Sequence, residues 1–151
     1  MVIIEDTRQQ AGKHEKKHNS FDAEGVAVFR SKLPVGDYAA APSVAVDTKA
    51  GLLEIATNLC GNIAEQQRFA RECKNARALG CRLVFLIETG KYKSPRDMMG
   101  HAIKLKNGRT IPGEQLFRAM TLTAQRYGVK FEFCAPSESG RRIVEILKND
   151  G

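Results

Sequence analysis

The sequence predicts an α/β protein in which a mixed central β-sheet is flanked by helices. Three observations support this fold class. The first third of the chain holds short runs of β-branched residues between turn-forming residues, which is typical of antiparallel strands. The remainder alternates segments of amphipathic helical spacing with apolar runs. One run, residues 83–87, is almost continuously apolar and indicates a central strand covered on both faces.

The first third is interpreted as strands joined by short turns. A charged segment at residues 9–19 is interpreted as a solvated loop. Residues 33–36 (Leu-Pro-Val-Gly) predict a turn, and Pro42 breaks the strand that follows it. We therefore expect an antiparallel meander, whose strands are predicted over residues 2–6, 26–30, 37–40 and 44–47.

The rest of the chain is predicted to alternate helices with strands. Apolar residues recur at helical spacing in three segments, and a glycine ends each of them. Asn107 and Gly108 predict a small hairpin over residues 102–111, because this pair is the strongest short turn signal. Ser139 is expected to cap the last helix. The predicted helices cover residues 52–59, 69–79, 116–127 and 139–147, and a further strand covers residues 131–134.

Length and composition indicate one domain with a buried core. The chain has 151 residues, of which 42% are hydrophobic. It contains no stretch of about 18 apolar residues, which excludes a transmembrane helix. The N-terminus lacks the basic-then-apolar order of a signal peptide, so a cytoplasmic protein is expected. We expect a single domain over residues 1–151, without a helix-hairpin-helix module.

The charge of the chain favours a polyanionic partner. The net charge is +7 and the pI is about 9.4, and nucleic acid is the commonest partner of such proteins. A basic surface that serves only solubility is the alternative. Because the chain has no Trp and 7% aromatic residues, base stacking is not expected to dominate binding. The four cysteines lack the spacing of zinc or redox motifs and are expected to be reduced thiols.

Three acidic residues fall at the ends of predicted strands. These are Asp6, Asp37 and Asp47, and Lys49 follows two positions after the last. Each acid alone has a simpler explanation, since Asp6 and Asp37 suit turns and Asp47 suits a helix cap. Alternate residues of a strand share a face, however, so Asp47 and Lys49 lie on one side. Asp37 lies on the adjacent strand, and we expect the three side chains to converge.

Such a convergence is typical of a metal-dependent phosphodiesterase. The carboxylates of Asp37 and Asp47 and the peptide carbonyl of Thr48 are oxygen ligands suited to Mg²⁺ or Mn²⁺. A bound cation lowers the pKa of its water and stabilises the transition state, and an ammonium such as Lys49 offsets negative charge at the phosphate. The sequence therefore predicts a site for Mg²⁺ or Mn²⁺.

Four short segments follow one another in the order of a known motif pattern. They are residues 4–9 (Ile-Glu-Asp-Thr-Arg-Gln), 33–38 (Leu-Pro-Val-Gly-Asp-Tyr), 46–49 (Val-Asp-Thr-Lys) and 86–88 (Leu-Ile-Glu). Together they resemble the nuclease domain of the XPF-type structure-specific endonucleases, which belong to the PD-(D/E)xK superfamily. The resemblance implies a restriction-endonuclease-like fold. It also implies a metal-dependent endonuclease that hydrolyses branched or flapped DNA, with roles in DNA repair or recombination.

The resemblance implies a role for each candidate residue. Asp37 and Asp47 would bind the metal, and Asp6 would support the metal or its water. Lys49 would position the attacking water, and Glu88 is a weaker candidate at the end of the apolar strand. Basic side chains are expected to contact the DNA backbone without reading its sequence. These are Arg8, Lys13, Lys16, Lys17, Arg68, Lys104, Lys106 and Arg109.

The sequence departs from the family pattern at several positions. Asp47 replaces a glutamate, Thr48 an arginine and Gln9 a glutamate. Leu53 occupies the usual place of an acid, and Glu54 is next to it. These departures favour an alternative function, that of a non-catalytic nucleic-acid-binding relative.

Two further expectations concern partners and the remaining alternative. The family usually works as a dimer, so a homodimer or a partner protein that supplies DNA binding is implied. An unrelated basic protein, whose acids are only turn and cap residues, is the third alternative.

Overall fold

A computed structural model describes residues 2–40 and 44–150, so the break predicted at Pro42 lies outside the described residues. The helices are α1 (Glu15–Ala23), α2 (Leu52–Cys60), α3 (Ile63–Ala78), α4 (Gly113–Tyr127) and α5 (Ser139–Asp150). The strands are β1 (Val2–Asp6), β2 (Ala27–Ser31), β3 (Tyr38–Ala40), β4 (Val44–Lys49), β5 (Arg82–Glu88), β6 (Ala102–Lys104), β7 (Thr110–Pro112) and β8 (Lys130–Cys134).

A mixed sheet of six strands forms the centre of the fold, with the order β2-β1-β3-β4-β5-β8. Strand β3 pairs antiparallel with both β1 and β4, whereas β4, β5 and β8 run parallel. Strands β6 and β7 form the separate hairpin that the Asn-Gly pair predicts. The predicted α/β class, with a mixed central sheet flanked by helices, is confirmed.

Each face of the sheet carries its own hydrophobic core. On one face, Phe69 of α3 stacks on Phe85 of β5 with ring centroids 4.6 Å apart, and Phe85 stacks on Phe131 of β8 at 5.2 Å. On the other face, Phe21 of α1 meets the edge of Tyr38, whose ring centre lies 5.7 Å away. Helices α2, α3 and α4 cover the first core, and α1 and α5 cover the second.

The prediction of a solvated loop over residues 9–19 is wrong, because α1 begins at Glu15. Lys17 and Phe21 lie one turn apart and both are buried on the same face of this helix. The helix also changes the topology, since it is a crossover that returns the chain to form β2 parallel to β1. Within the six-stranded sheet, antiparallel pairing is therefore limited to β1, β3 and β4.

Lys17 is a correction to the predicted DNA-binding set, because its side chain is buried rather than exposed. Its ammonium lies 2.6 Å from Oε1 of Glu88. The Ser139 hydroxyl donates a hydrogen bond of 2.6 Å to the same oxygen, so Ser139 begins α5 with its hydroxyl directed to Glu88. These three residues join α1, β5 and α5 through one buried polar contact.

Helices α1 and α5 approach each other closely at Gly140. A Cβ atom at this position would come within 2.8 Å of the Lys17 Cα and 2.7 Å of the Ser20 Cβ. Any larger residue would force the helices apart, because real Cβ atoms do not approach backbone so closely.

Within the described residues, none of the helices has the length and apolar character that a bilayer-spanning helix requires.

The Lys17→Met substitution should lower the free energy of unfolding by about 3 kcal/mol, because it removes the cation that balances the buried Glu88 carboxylate. Urea unfolding followed by circular dichroism measures this loss. The matched control is Lys16→Met, which changes an exposed neighbour on the same helix and should stay within about 0.5 kcal/mol of the parent. Equal losses in the two variants would contradict the assigned ion pair.

Candidate active site

The pairing of β3 with β4 brings Asp37 and Asp47 together. Tyr38 is the partner of Val46 in the antiparallel register, and the Asp37 N–H donates a hydrogen bond of 2.9 Å to the Val46 carbonyl. Residues opposite each other in an antiparallel pair point to the same face. Asp37, Asp47 and Lys49 therefore line one cleft of about 410 Å³ between the sheet and helices α2 and α3.

A glycine is required immediately before Asp37. Gly36 has a φ of +75°, a conformation that L side chains rarely adopt. A Cβ at this position would also come within 3.1 Å of the Ala45 Cβ and 3.3 Å of the Val46 carbonyl oxygen. Glycine is therefore needed before Asp37 both for the backbone conformation of the turn and for close packing against β4.

Asp37 accepts hydrogen bonds from two of the positions that depart from the family pattern. Its Oδ2 accepts bonds of 2.8 Å from the Thr48 N–H and 3.1 Å from the Thr48 hydroxyl. The side-chain amide of Gln9 donates to the same carboxylate. Burial raises the pKa of Asp37, and the bonds from Thr48 and Gln9 oppose that increase. Both departures therefore stabilise the ionised form of one carboxylate.

Lys49 forms a buried ion pair with Asp47. The Nζ of Lys49 lies 3.0 Å from Oδ1 of Asp47, and the two side chains are 9% and 11% exposed. The same Nζ lies 5.8 Å and 5.6 Å from the ring centres of Phe69 and Phe85. Burial lowers the pKa of Lys49, but the negative charges around it, chiefly Asp47, outweigh burial and raise the pKa overall. Lys49 is therefore a cation at neutral pH.

Glu72 of α3 lines the same cleft, and the sequence analysis missed it. Its Oε1 accepts a hydrogen bond of 3.2 Å from the Gly36 N–H, and its carboxylate is in hydrogen-bonding contact with that of Asp47. The available signal was helical spacing. Arg68 and Glu72 are one turn apart on α3, and Arg71 and Asn75 flank them in the wall of the cleft.

The predicted ligand Asp6 anchors the loop that carries Asp37. The buried carboxylate of Asp6 accepts a hydrogen bond of 3.0 Å from the Leu33 N–H through Oδ1, and it forms an ion pair with Arg8 through Oδ2. Arg8 in turn donates a hydrogen bond of 3.0 Å to the Leu33 carbonyl. Asp6 is not among the residues that line the cleft. Its expected support of a metal stays a prediction.

The predicted DNA-binding residues divide between two regions. Arg8 and Arg68 line the cleft, and Lys13 lines an adjoining groove of about 540 Å³ that also includes Glu88. Lys16 is exposed on α1. The other region is the β6–β7 hairpin with its exposed Lys104, Lys106 and Arg109. Arg109 donates a hydrogen bond to the carbonyl of Cys60, the last residue of α2, and is not among the residues that line the cleft.

The comparison with known proteins rests on structure. No protein-family model and no curated protein sequence matches the chain. Two solved structures of XPF from Aeropyrum pernix match it with a TM-score of 0.70 over 99% of this chain. One is XPF alone, at 18% identity, and the other is XPF in complex with DNA, at 17% identity. The chain has the fold of an XPF-type nuclease domain.

The match covers only part of the XPF chains. This chain spans 65% of the first structure's length and 64% of the second. At this level of identity the likeness shows the fold. The XPF-type fold confirms the restriction-endonuclease-like sheet expected from the four motifs.

The oxygen atoms of the cleft suit a hard divalent cation. Asp37, Asp47 and Glu72 supply carboxylates, which Mg²⁺ and Mn²⁺ prefer. Burial, followed by the charge of Asp37, raises the pKa of Asp47 well above its ordinary value even though Lys49 opposes the increase. A cation would relieve this repulsion. Within residues 2–40 and 44–150, no three His, Cys, Asp or Glu side chains already surround one point.

The metal-free protein should become more stable as the pH falls from neutral toward mild acid. The folded-state pKa of Asp47 is raised above its unfolded value of about 3.9. The stability that its protonation contributes is therefore complete at low pH and is lost as the pH rises through the folded pKa. The measurement is the melting temperature in EDTA over a pH series that runs from neutral pH down toward the unfolded-state pKa of about 3.9.

The Asp47→Asn variant isolates this contribution. Because it removes the carboxylate, it should melt higher than the parent at neutral pH in EDTA and should show a smaller pH dependence. A parent protein that loses stability steadily toward mild acid, in parallel with Asp47→Asn, would contradict the raised pKa. Glu65→Gln, which removes a carboxylate paired with Arg68 outside the cleft, is the control.

Proposed function

We propose that the protein is a metal-dependent DNA endonuclease that hydrolyses phosphodiester bonds, with branched or flapped DNA as its substrate class. The observation that carries the proposal is the meeting of Asp37, Asp47 and Lys49 in one cleft of an XPF-type fold. Two acids and a buried ammonium are the groups that hydrolysis of a phosphodiester requires. A basic chain with a net charge of +7 suits the polyanionic substrate.

The chain's own residues would bind the cofactor and orient the reactants. Asp37 and Asp47 would hold Mg²⁺ or Mn²⁺, the Thr48 carbonyl would add an oxygen ligand, and Asp6 would support the ligand loop. The bound ion would supply a water of lowered pKa and would offset charge at the phosphate.

Lys49 has the clearest task in this mechanism. Its Nζ is held by Asp47 at 3.0 Å and against the rings of Phe69 and Phe85. The ammonium therefore has a fixed direction, and its raised pKa keeps it protonated. A positioned cation stabilises the negative charge that develops on the phosphate oxygens as the attacking water approaches.

Binding of the DNA backbone is assigned to the basic side chains near the cleft. Arg8, Arg68 and Lys13 are the nearest of the predicted set. One of the structural neighbours is XPF in complex with DNA, which supports this partner. A homodimer or a partner protein that adds DNA contacts is part of the proposal. The cytoplasmic location stays a prediction.

The second candidate function is a DNA-binding relative without nuclease activity. The observation that favours it is the environment of Asp37, whose carboxylate already accepts hydrogen bonds from Thr48 and Gln9. If those bonds hold Asp37 away from a metal, the protein would bind DNA without cleaving it. Calorimetric titration with Mn²⁺ separates the two functions, because metal binding that is lost in Asp37→Ala excludes this candidate.

Cleavage of flap, fork and junction DNA in the presence of Mn²⁺ tests the catalytic proposal. The Lys49→Met substitution should reduce the single-turnover rate by about 10²–10³-fold, the effect of removing one preorganised charge-stabilising group. Lys130→Met, at an exposed position of β8 outside the predicted DNA-binding set, should retain the parent rate. Cleavage by Asp47→Ala at the parent rate would remove the enzymatic claim, because this variant lacks a ligand that the reaction needs.

Arg68→Ala should weaken DNA binding and reduce the dependence of log Kd on log salt by about one phosphate contact. The reason is that Arg68 lies in the wall of the cleft and, with 69% of its side chain exposed, can reach a phosphate. Fluorescence anisotropy with a labelled flap DNA at several salt concentrations measures both quantities. Arg118→Ala, at an exposed position on α4, is the matched control, and equal salt slopes in all three proteins would contradict the assignment.

A further inference from the structure

We propose that Glu72 is an oxygen ligand of the divalent cation site, supplied by α3 from the wall opposite the sheet. The inference rests on the proposed function and adds a residue that neither the sequence motifs nor the comparisons assign. It places the cation between Asp47 and Glu72 and so names a ligand pair drawn from two different elements.

The contacts of Glu72 tie it to both of the expected ligands. Its Oε1 accepts the hydrogen bond from Gly36, the residue before Asp37. Its carboxylate lines the same cleft as that of Asp47 and interacts with it. Asp37 is also engaged with donors on Thr48 and Gln9. Glu72 is therefore an acid of the opposite wall that acts on both expected ligands.

Two carboxylates in direct contact need a proton or a cation between them, because two adjacent negative charges repel each other. The nearest compensating group is the Lys49 ammonium, 3.0 Å from Asp47 and 3.9 Å from Glu54. Of the arginines in the cleft wall, Arg8 pairs with Asp6, Arg68 pairs with Glu65, and Arg71 also lines the cleft. A divalent cation between Asp47 and Glu72 would offset the charge of both carboxylates.

An independent observation on α2 points to a ligand in the same cleft. Asn58 lines the cleft and is 8% exposed. Its side-chain oxygen is buried and has no hydrogen-bond donor among the described residues. Buried polar atoms normally have a partner, and an amide oxygen either ligates a hard cation or accepts from its coordinated water. The side-chain oxygen of Asn58 is therefore a further candidate ligand in the cleft, because no donor among the described residues hydrogen-bonds to it.

Calorimetric titration of Mn²⁺ into the metal-free protein tests the assignment without relying on activity. The Glu72→Gln variant keeps the size of the side chain and an acceptor for Gly36, and it removes the charge. It should bind Mn²⁺ about tenfold or more weakly than the parent. Glu65→Gln, on the same helix but outside the cleft, should bind Mn²⁺ with the parent affinity.

A melting-temperature series separates ligation from a structural role. In EDTA, Glu72→Gln should melt at or above the parent temperature, because one repelling charge is gone, and Mn²⁺ should raise its melting temperature less than the parent's. Glu72→Asp keeps the charge on a shorter arm and should bind Mn²⁺ with an intermediate affinity. If both variants melted below the parent in EDTA, Glu72 would be a structural residue and the proposal would be overturned.

The possible failures are distinguishable from one another. If the parent and Glu72→Gln bind Mn²⁺ with equal, measurable affinity, the Glu72 assignment is overturned and the metal-dependent function stands. If the parent itself binds neither Mn²⁺ nor Mg²⁺, the metal-dependent function and the Glu72 assignment fall together.

Discussion

The backbone hydrogen bond from Asp37 to Val46 is the contact on which the candidate active site depends. It starts the antiparallel pairing of β3 with β4, and that register sets the two carboxylates side by side. A slip of one residue would turn Asp47 and Lys49 to the opposite face, because side chains of a strand alternate. Gly36 protects the register, since its φ of +75° and its close contact with Ala45 admit no side chain.

Buried charge is balanced differently on the two faces of the sheet. Behind the cleft, Lys17 and Glu88 form a closed ion pair that Ser139 completes. In the cleft, Lys49 faces several acids at once, and burial, followed by the charge of Asp37, raises the pKa of Asp47 although Lys49 opposes the increase. The first arrangement stabilises the packing of α1 and α5. The second leaves a carboxyl group of perturbed pKa in a cleft, which is a common feature of functional sites.

The sequence was sufficient wherever local pattern and tertiary packing agree. The apolar run at residues 83–87 became β5, and Asn107 with Gly108 became the turn between β6 and β7. The positions of Asp37, Asp47 and Lys49 also followed from strand alternation alone. These features depend on residues close in sequence or on adjacent strands, so the periodicity of the sequence predicts them.

Two features required the folded chain. The segment before Phe21 is rich in charge, so its helix is weakly amphipathic and reads as a loop; packing against α5 provides the missing stabilisation. Glu72 is far from the acidic motifs in sequence. Its helical spacing from Arg68 places the two residues on one face of α3, but it does not show that this face meets Asp47. Glu72 enters the cleft because α3 packs across the sheet.

The close approach at Gly140 gives the last helix a mechanical role. Helix α5 contributes no residue to the cleft, yet it packs against β3, which Asp37 immediately precedes, and against β4, which carries Asp47. Because α1 packs directly against the backbone of α5 at Gly140, the two helices form one packed layer on the face of these strands opposite the cleft. The side chains of the cleft are thus supported from the opposite face of the sheet. A chain truncated before α5 would keep every residue of the cleft but would lose the packing that holds β3 and β4 in position.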